Sequence, residues 1–164
     1  MPMTEQDAQS KPRNFLVVVD DTPESRVALR FAARRALGME NGGVMLLRVV
    51  SPPDFNHWMG VKEIMRAEAR QEAEDLLADL ARQVEVDHGL RPQTMIREGV
   101  LKDEVLAEIE EDSTIRIVML GAAPDGGSPG PLVEALAGEL SGSLRIPVTV
   151  VPGSLSSMDV DQLT

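Results

Sequence analysis

At 164 residues the chain is long enough to bury one full core, and with no cysteine it must do so without disulfides, a thiolate metal site or a cysteine nucleophile. A net charge of −11, from 27 acidic against 16 basic residues, repels phosphate backbones and excludes an ordinary nucleic-acid partner, and three Phe, one Trp and no Tyr offer no stacking platform for bases. No apolar run is long enough for a membrane span and residues 1–12 (MPMTEQDAQSKP) carry no secretory pattern, so a soluble cytoplasmic protein is expected, with residues 1–13 disordered.

Residues 14–21 (NFLVVVDD) read as a first strand buried on both faces, ending in two aspartates. Asp21 or Thr22 caps the helix that follows. Pro23 suits its first turn, Ala28, Leu29, Ala32 and Ala36 give one apolar stripe, and Gly38 stops it. Arg26, Arg30, Arg34 and Arg35 recur at helical intervals and read as its solvated face. After the turn Asn41-Gly42-Gly43, residues 44–50 (VMLLRVV) form a second buried strand, parallel to the first with a right-handed crossover. Ser51-Pro52-Pro53 ends it, and the Asp54–Gly60 segment is a loop that stands as a candidate lid.

From about Val61 to Asp87 the helical period returns, with Ile64, Ala69, Ala73, Leu76, Leu77, Leu80 and Val84 on one side and Gly89 as its stop. His88, just before that glycine, is placed to favour a positive charge at the negative helix end. Residues 94–99 (TMIREG) make a short third strand and 102–111 a third helix using Val105, Leu106 and Ile109. Then come the strand IRIVMLG from Ile115, a loop of glycines and prolines, the short helix PLVEALAGEL, and the strand within SLRIPVTVVPG. Beyond Gly153 residues 154–164 read as a polar tail, loose or a single helical turn. Five strands alternating with helices define an α/β domain over 14–153: a single doubly wound five-stranded parallel sheet with helices on both faces, Rossmann-like, with ligands expected where the strand order reverses.

The loop after the fourth strand is the candidate ligand site. Gly121, Gly126, Gly127 and Gly130 allow backbone N–H groups to approach an anion, and Ser128 adds a hydroxyl. Pro131 stands at a natural first helical position, leaving the N–H groups of Leu132 and Val133 free at the helix start, where phosphate or a smaller anion fits. His57 and Trp58 stand over the expected cleft, either capping a pocket or covering the core. Asp20, Asp21 and Glu24 have the chemistry of a magnesium site, but helix capping accounts for two of them.

Two aspartates closing a first strand invite comparison with bacterial receiver domains. The later aspartate and lysine of that pattern are missing, because the fourth strand ends in Gly121 and the last runs IPVTVVPGS. Through VVVDDTPESRVAL, LLRVVSPP, the REG turn at 97–99 and IPVTVV, residues 14–152 resemble the universal stress protein family. The resemblance implies a nucleotide-type domain of adenine nucleotide alpha hydrolase-like fold, with ATP as cofactor and Asp20 and Val49 beside the adenine. It also implies a homodimer paired through the last strand, Val148–Val151.

The family's spaced glycine motif is where this sequence departs. Anchored on Ile146-Pro147-Val148, Gly121 takes the first glycine, while Pro124 and Glu134 take the others. Pro124 has no N–H to give, and Glu134 brings a negative charge, so both oppose phosphate and ordinary ATP binding. A shifted alignment through Gly127, Gly130 and Gly142-Ser143 leaves no room for the following helix. With no phosphate-loop lysine and no serine–histidine–aspartate set, no enzymatic activity is expected. The sequence therefore points to a non-catalytic, homodimeric stress-response module that senses a small anionic ligand. ATP or AMP held by Asp20, Val49, Gly121, Gly127, Ser128 and Gly130 is the alternative, and an adaptor with an empty cleft is another.

Overall fold

The computed structural model describes residues 11–53 and 58–164. Strands β1 (Arg13–Val18), β2 (Gly42–Val50), β3 (Gln93–Glu98), β4 (Ile115–Ala122) and β5 (Val148–Pro152) form one parallel sheet in the order β3-β2-β1-β4-β5. Phe15 stands beside Val44 and Ile117, Met45 beside Gln93, and Val118 beside Val148. The sheet reverses between β1 and β4, where the chain leaves β1 to one side first and returns to the other.

Alternation along the central strands splits the core in two. Phe15, Val17, Val44, Leu46 and Met119 face helices α1 (Pro23–Leu37) and α2 (Met59–His88), packing on Ala28, Ala32, Leu77 and Leu80. Leu16, Met45, Leu47, Val49, Val118 and Leu120 face α3 (Leu101–Glu111) and α4 (Pro131–Val133 continued by Glu134–Glu139), meeting Val105, Ile109 and Leu136. Helix α4 opens at Pro131–Val133 and widens into a π-helix over Glu134–Glu139, with the Leu140 N–H donating to the Ala135 carbonyl at 2.9 Å. Thr22 caps α1, and Gly89 ends α2 at φ 71°, the left-handed conformation that glycine adopts freely.

The structure changes several expectations. The apolar stripe of α2 is buried only from Ala73 onward, while Ile64 is 60% exposed, because the first half of this 30-residue helix extends without packing on the sheet. Arg13 already belongs to β1, its N–H donating to the Asn41 carbonyl at 2.9 Å, whereas residues 1–10 lie outside the described ones. Residues after Gly153 form a further helix, α5 (Ser157–Leu163), closed by a reciprocal capping box between Ser156 and Asp159 and anchored by fully buried Val160. The arginine stripe of α1 is the surface that receives it: Arg30 grips Asp161 with two hydrogen bonds of 2.9 and 2.8 Å, and Arg34 reaches Thr164 and the Asp161 carbonyl. Arg26 meets Gln83 of α2. Arg26, Arg30 and Arg34 are thus interhelical ties, and of the stripe Arg35 keeps the solvated position expected of it. His88 also departs from expectation: burial, reinforced by Arg30, holds its imidazole below the ordinary value, so the charged form is disfavoured there.

On the opposite flank Arg97 of β3 is held by Glu104, Glu108 and Glu111 of α3 at 2.7, 2.8 and 3.0 Å. Glu108 is buried, and these hydrogen bonds raise the Arg97 pKa, with the Glu111 and Glu104 contacts the largest contributors. No described helix is long and apolar enough to cross a membrane.

Candidate functional site

At the carboxyl ends of β1 and β4 lies a cleft of about 170 Å³. Its floor is Val18 and Leu120, and its rim is the β1–α1 turn on one side and the start of α4 on the other. This is where a doubly wound sheet presents its ligand crevice, because strands diverge in connectivity and no helix covers the gap.

The β1–α1 turn is built by its own polar groups. The Asp20 N–H donates to the Ser25 hydroxyl at 3.1 Å, and Asp20 Oδ1 accepts from the Thr22 N–H at 3.1 Å and from the Thr22 hydroxyl. Thr22 in turn accepts from the Ser25 N–H at 3.4 Å. Asp20 thus orders the helix cap while its exposed carboxylate borders the cleft. The described residues include no group of three acids or histidines arranged to hold a metal ion.

Opposite this turn, Gly130 adopts φ 124°, a conformation reserved for glycine, and turns the chain into α4. Pro131 carries no N–H, the Glu134 N–H donates to the Gly130 carbonyl at 3.0 Å, and the N–H groups of Leu132 and Val133 have no acceptor among the described residues. Both residues line the cleft. Ser128 braces the loop from outside: its hydroxyl donates to Glu134 Oε1 at 2.7 Å and accepts from the Gly130 N–H at 3.2 Å.

The cleft brings together Asp20, Gly121 and Gly130 of the residues named from sequence. Val49 is instead packed in the core on the α3 side, and Gly127 and Ser128 stand outside the lining. Gly121 has a packing reason for lacking a side chain, since a Cβ there would stand 2.2 Å from the Glu24 carbonyl oxygen. Pro124 and Glu134 do not line the cleft either: Pro124 lies beside Gly153, and Glu134 is directed to Ser128. Trp58 is 86% exposed and neither caps the cleft nor covers the core, while His57 and most of the candidate lid lie outside the described residues. Met59 and Gly60 form the first turn of α2.

Sequence reasoning passed over Arg48, the one cationic side chain in the lining among the described residues, because it sits inside the apolar run VMLLRVV and reads there as part of a strand. The available signal was its position near the carboxyl end of β2, where polar residues in a buried strand reach the ligand edge. The other titratable groups of the lining are Asp20 and Glu24.

A doubly wound sheet with a crevice at its reversal point defines an α/β ligand-binding domain. The model of the universal stress protein family matches residues 11–152, and the chain belongs to that family. Its fold is that of universal stress protein UspA from Lactobacillus plantarum, at 19% identity and TM-score 0.69 over 87% of this chain and 99% of that one. A universal stress protein family member from Burkholderia pseudomallei is similar at 18% identity and TM-score 0.66, over 87% and 98% of the two chains. The universal stress protein from Archaeoglobus fulgidus in complex with dAMP gives 17% and 0.55, over 85% and 96%. Other structures with this fold include a universal stress protein in complex with cAMP and a family member from Arabidopsis thaliana with AMP bound. No curated protein matches by sequence.

Proposed function

We propose that this chain is a non-catalytic, ligand-sensing universal stress protein that acts as a homodimer in stress response, with the cleft between β1 and β4 as its sensor site. The observation that carries this reading is the pair of N–H groups at Leu132 and Val133, without an acceptor among the described residues, at a cleft whose one described cation is Arg48. Such a site attracts an anion but supplies little for bond cleavage. Phosphoryl transfer needs a positioned base and concentrated positive charge, and here Asp20 is engaged in capping Thr22.

An adenine nucleotide is the ligand class we favour. Relatives of the same fold hold AMP, cAMP or dAMP, and the two residues that oppose phosphate in the sequence, Pro124 and Glu134, stand away from the cleft wall. Dimerisation is supported by β5, which has β4 on one side and is not crossed by α5, since that helix packs on α1. Val150 is exposed on this edge strand.

Thermal unfolding with ATP, AMP or inorganic phosphate at a hundredfold over the dissociation constant tests the sensor. Stabilisation of about 2.7 kcal/mol, roughly 5–10 °C for a domain of this size, is expected for the nucleotides. No shift with any of them removes the sensor reading and leaves the adaptor. Sedimentation velocity tests the dimer: Val150→Lys should convert it to monomer, and a wild-type monomer at micromolar concentration refutes it.

A further inference from the structure

We propose that Arg48 is the anion-recognising residue of the cleft, and that it makes the site select a phosphorylated nucleoside over the nucleoside itself. The charge state of arginines elsewhere in the chain sets the contrast. Arg26, Arg30, Arg34, Arg66 and Arg97 each hold a carboxylate. Among the described residues the Arg48 guanidinium has neither an ion-pair nor a hydrogen-bond partner, a condition it shares with Arg13, Arg35 and Arg116. Those three are exposed and solvated, whereas Arg48 is partly buried.

Partly burying a guanidinium without a partner carries a cost that a bound anion would offset. Arg48 also borders an open groove of about 690 Å³ lined by Asp21, Glu72, Asp75 and Asp79, and none of them pairs with it. Arg26, which lines the same groove, takes up both Asp21 and Asp79.

Position completes the argument. The Val19 N–H donates to the Leu47 carbonyl at 2.9 Å, which sets Arg48 beside the last residues of β1. Val17 is in register with Met119, so Gly121 stands level with Val19 on the other side. Two strand spacings of roughly 4.8 Å separate β2 from β4, a gap spanned by one arginine side chain and one phosphate. Arg48 shares the α1/α2 side of β2 with Leu46 while Leu132 and Val133 pack on the other side, so they meet at the carboxyl edge of the sheet, where all three line the cleft and one cation and two N–H groups are available to the same anion.

The inference rests on the nucleotide reading for the base but not for the anion, and titration calorimetry of the full chain separates the two. Adenosine, AMP and inorganic phosphate are titrated into the wild type, Arg48→Gln and Arg48→Lys. AMP should bind the wild type about 10- to 100-fold more tightly than adenosine, and Arg48→Gln should abolish that ratio while leaving adenosine within about twofold. Arg48→Lys should retain part of it, because charge remains and the planar fork is lost. An unchanged AMP-to-adenosine ratio in Arg48→Gln overturns the role of Arg48 and leaves the nucleotide reading standing. Binding of phosphate alone, lost in Arg48→Gln, supports Arg48 and removes the adenine. Binding of none of the three overturns both.

Discussion

Replacing Gly121 with alanine tests whether the cleft is built by close backbone contact. The added Cβ would stand 2.2 Å from the Glu24 carbonyl oxygen, 2.5 Å from its carbon and 3.1 Å from the Ser25 nitrogen. Carbon and oxygen need about 3.3 Å, so the first turn of α1 must retreat by roughly 1 Å. Backbone in a capped helix cannot swing aside as a flexible side chain can. The displaced turn carries Ser25, whose hydroxyl accepts from the Asp20 N–H, and Thr22, which caps the helix. Overpacking of this kind costs about 2–3 kcal/mol. With a urea slope of about 2 kcal/mol/M, the midpoint should fall by roughly 1–1.5 M, and ligand affinity should fall with it. Gly60 is the control: nothing lies within 4 Å of a Cβ there and it sits in the first turn of α2, so Gly60→Ala should be neutral or stabilising by up to about 1 kcal/mol. A Gly121→Ala protein within about 0.5 kcal/mol of wild type would refute the close-contact argument.

Three further perturbations follow from the ion pairs. Arg97→Met leaves buried Glu108 facing Glu104 and Glu111 without their cation, and should cost about 3 kcal/mol by denaturant unfolding. Adding Glu108→Gln should recover part of that loss, and strict additivity of the two changes would count against a shared network. The Asp161 carboxyl is held below the usual range chiefly by its hydrogen bond to Arg30, so its contribution is present above the ordinary carboxylate range and is lost as pH falls through the lowered value. Asp161→Asn should remove that acid-sensitive component and speed amide exchange at Val160; unchanged exchange would mean Val160 packing alone holds α5. His88 is lowered by burial and then by Arg30, so the unfolded chain takes up its proton first and stability declines as pH drops below about 6.5. His88→Gln should flatten the urea midpoint between about pH 5 and 7, and an undiminished slope would place the pH response elsewhere.

Much of the fold was legible because each central strand is buried on both faces. Phe15–Val19, Val44–Leu47 and Val118–Leu120 are nearly continuous apolar runs, and caps such as Thr22 and Gly89 mark helix ends by backbone chemistry that the residues carry themselves. Strand order is not encoded locally, so the position of the cleft came from the general behaviour of doubly wound sheets. The C-terminal helix was read as no more than a loose tail or a single turn although its signal is present: Ser156 with Asp159 three residues later is a capping pattern, and Val160 is its buried side chain. Polar composition outweighed that pattern in the reading. The α2 stripe misled in the opposite sense, since periodicity shows which side chains share a face but not whether the sheet extends far enough to meet them. Of the cleft lining, Asp20, Gly121 and Gly130 were legible because they punctuate strand and helix ends, whereas Arg48 was hidden by apolar neighbours; Val49, named through the resemblance, packs in the core beside it.

The two margins of the sheet are unlike. Along β3, Arg97 is locked by three carboxylates and Glu98 pairs with Arg66 of α2, so a second sheet approaching that side meets fixed charge. Along β5 the sequence is Val-Thr-Val-Val, without a charge. In the dimer proposed above, such asymmetry would make the molecule a terminator as well as a joiner: pairing about a two-fold axis through β5 would consume the receptive margin of both copies and leave the charged one outward. Assembly of that kind would close at two, and the open-ended stacking to which flat parallel sheets are prone would have no surface on which to continue.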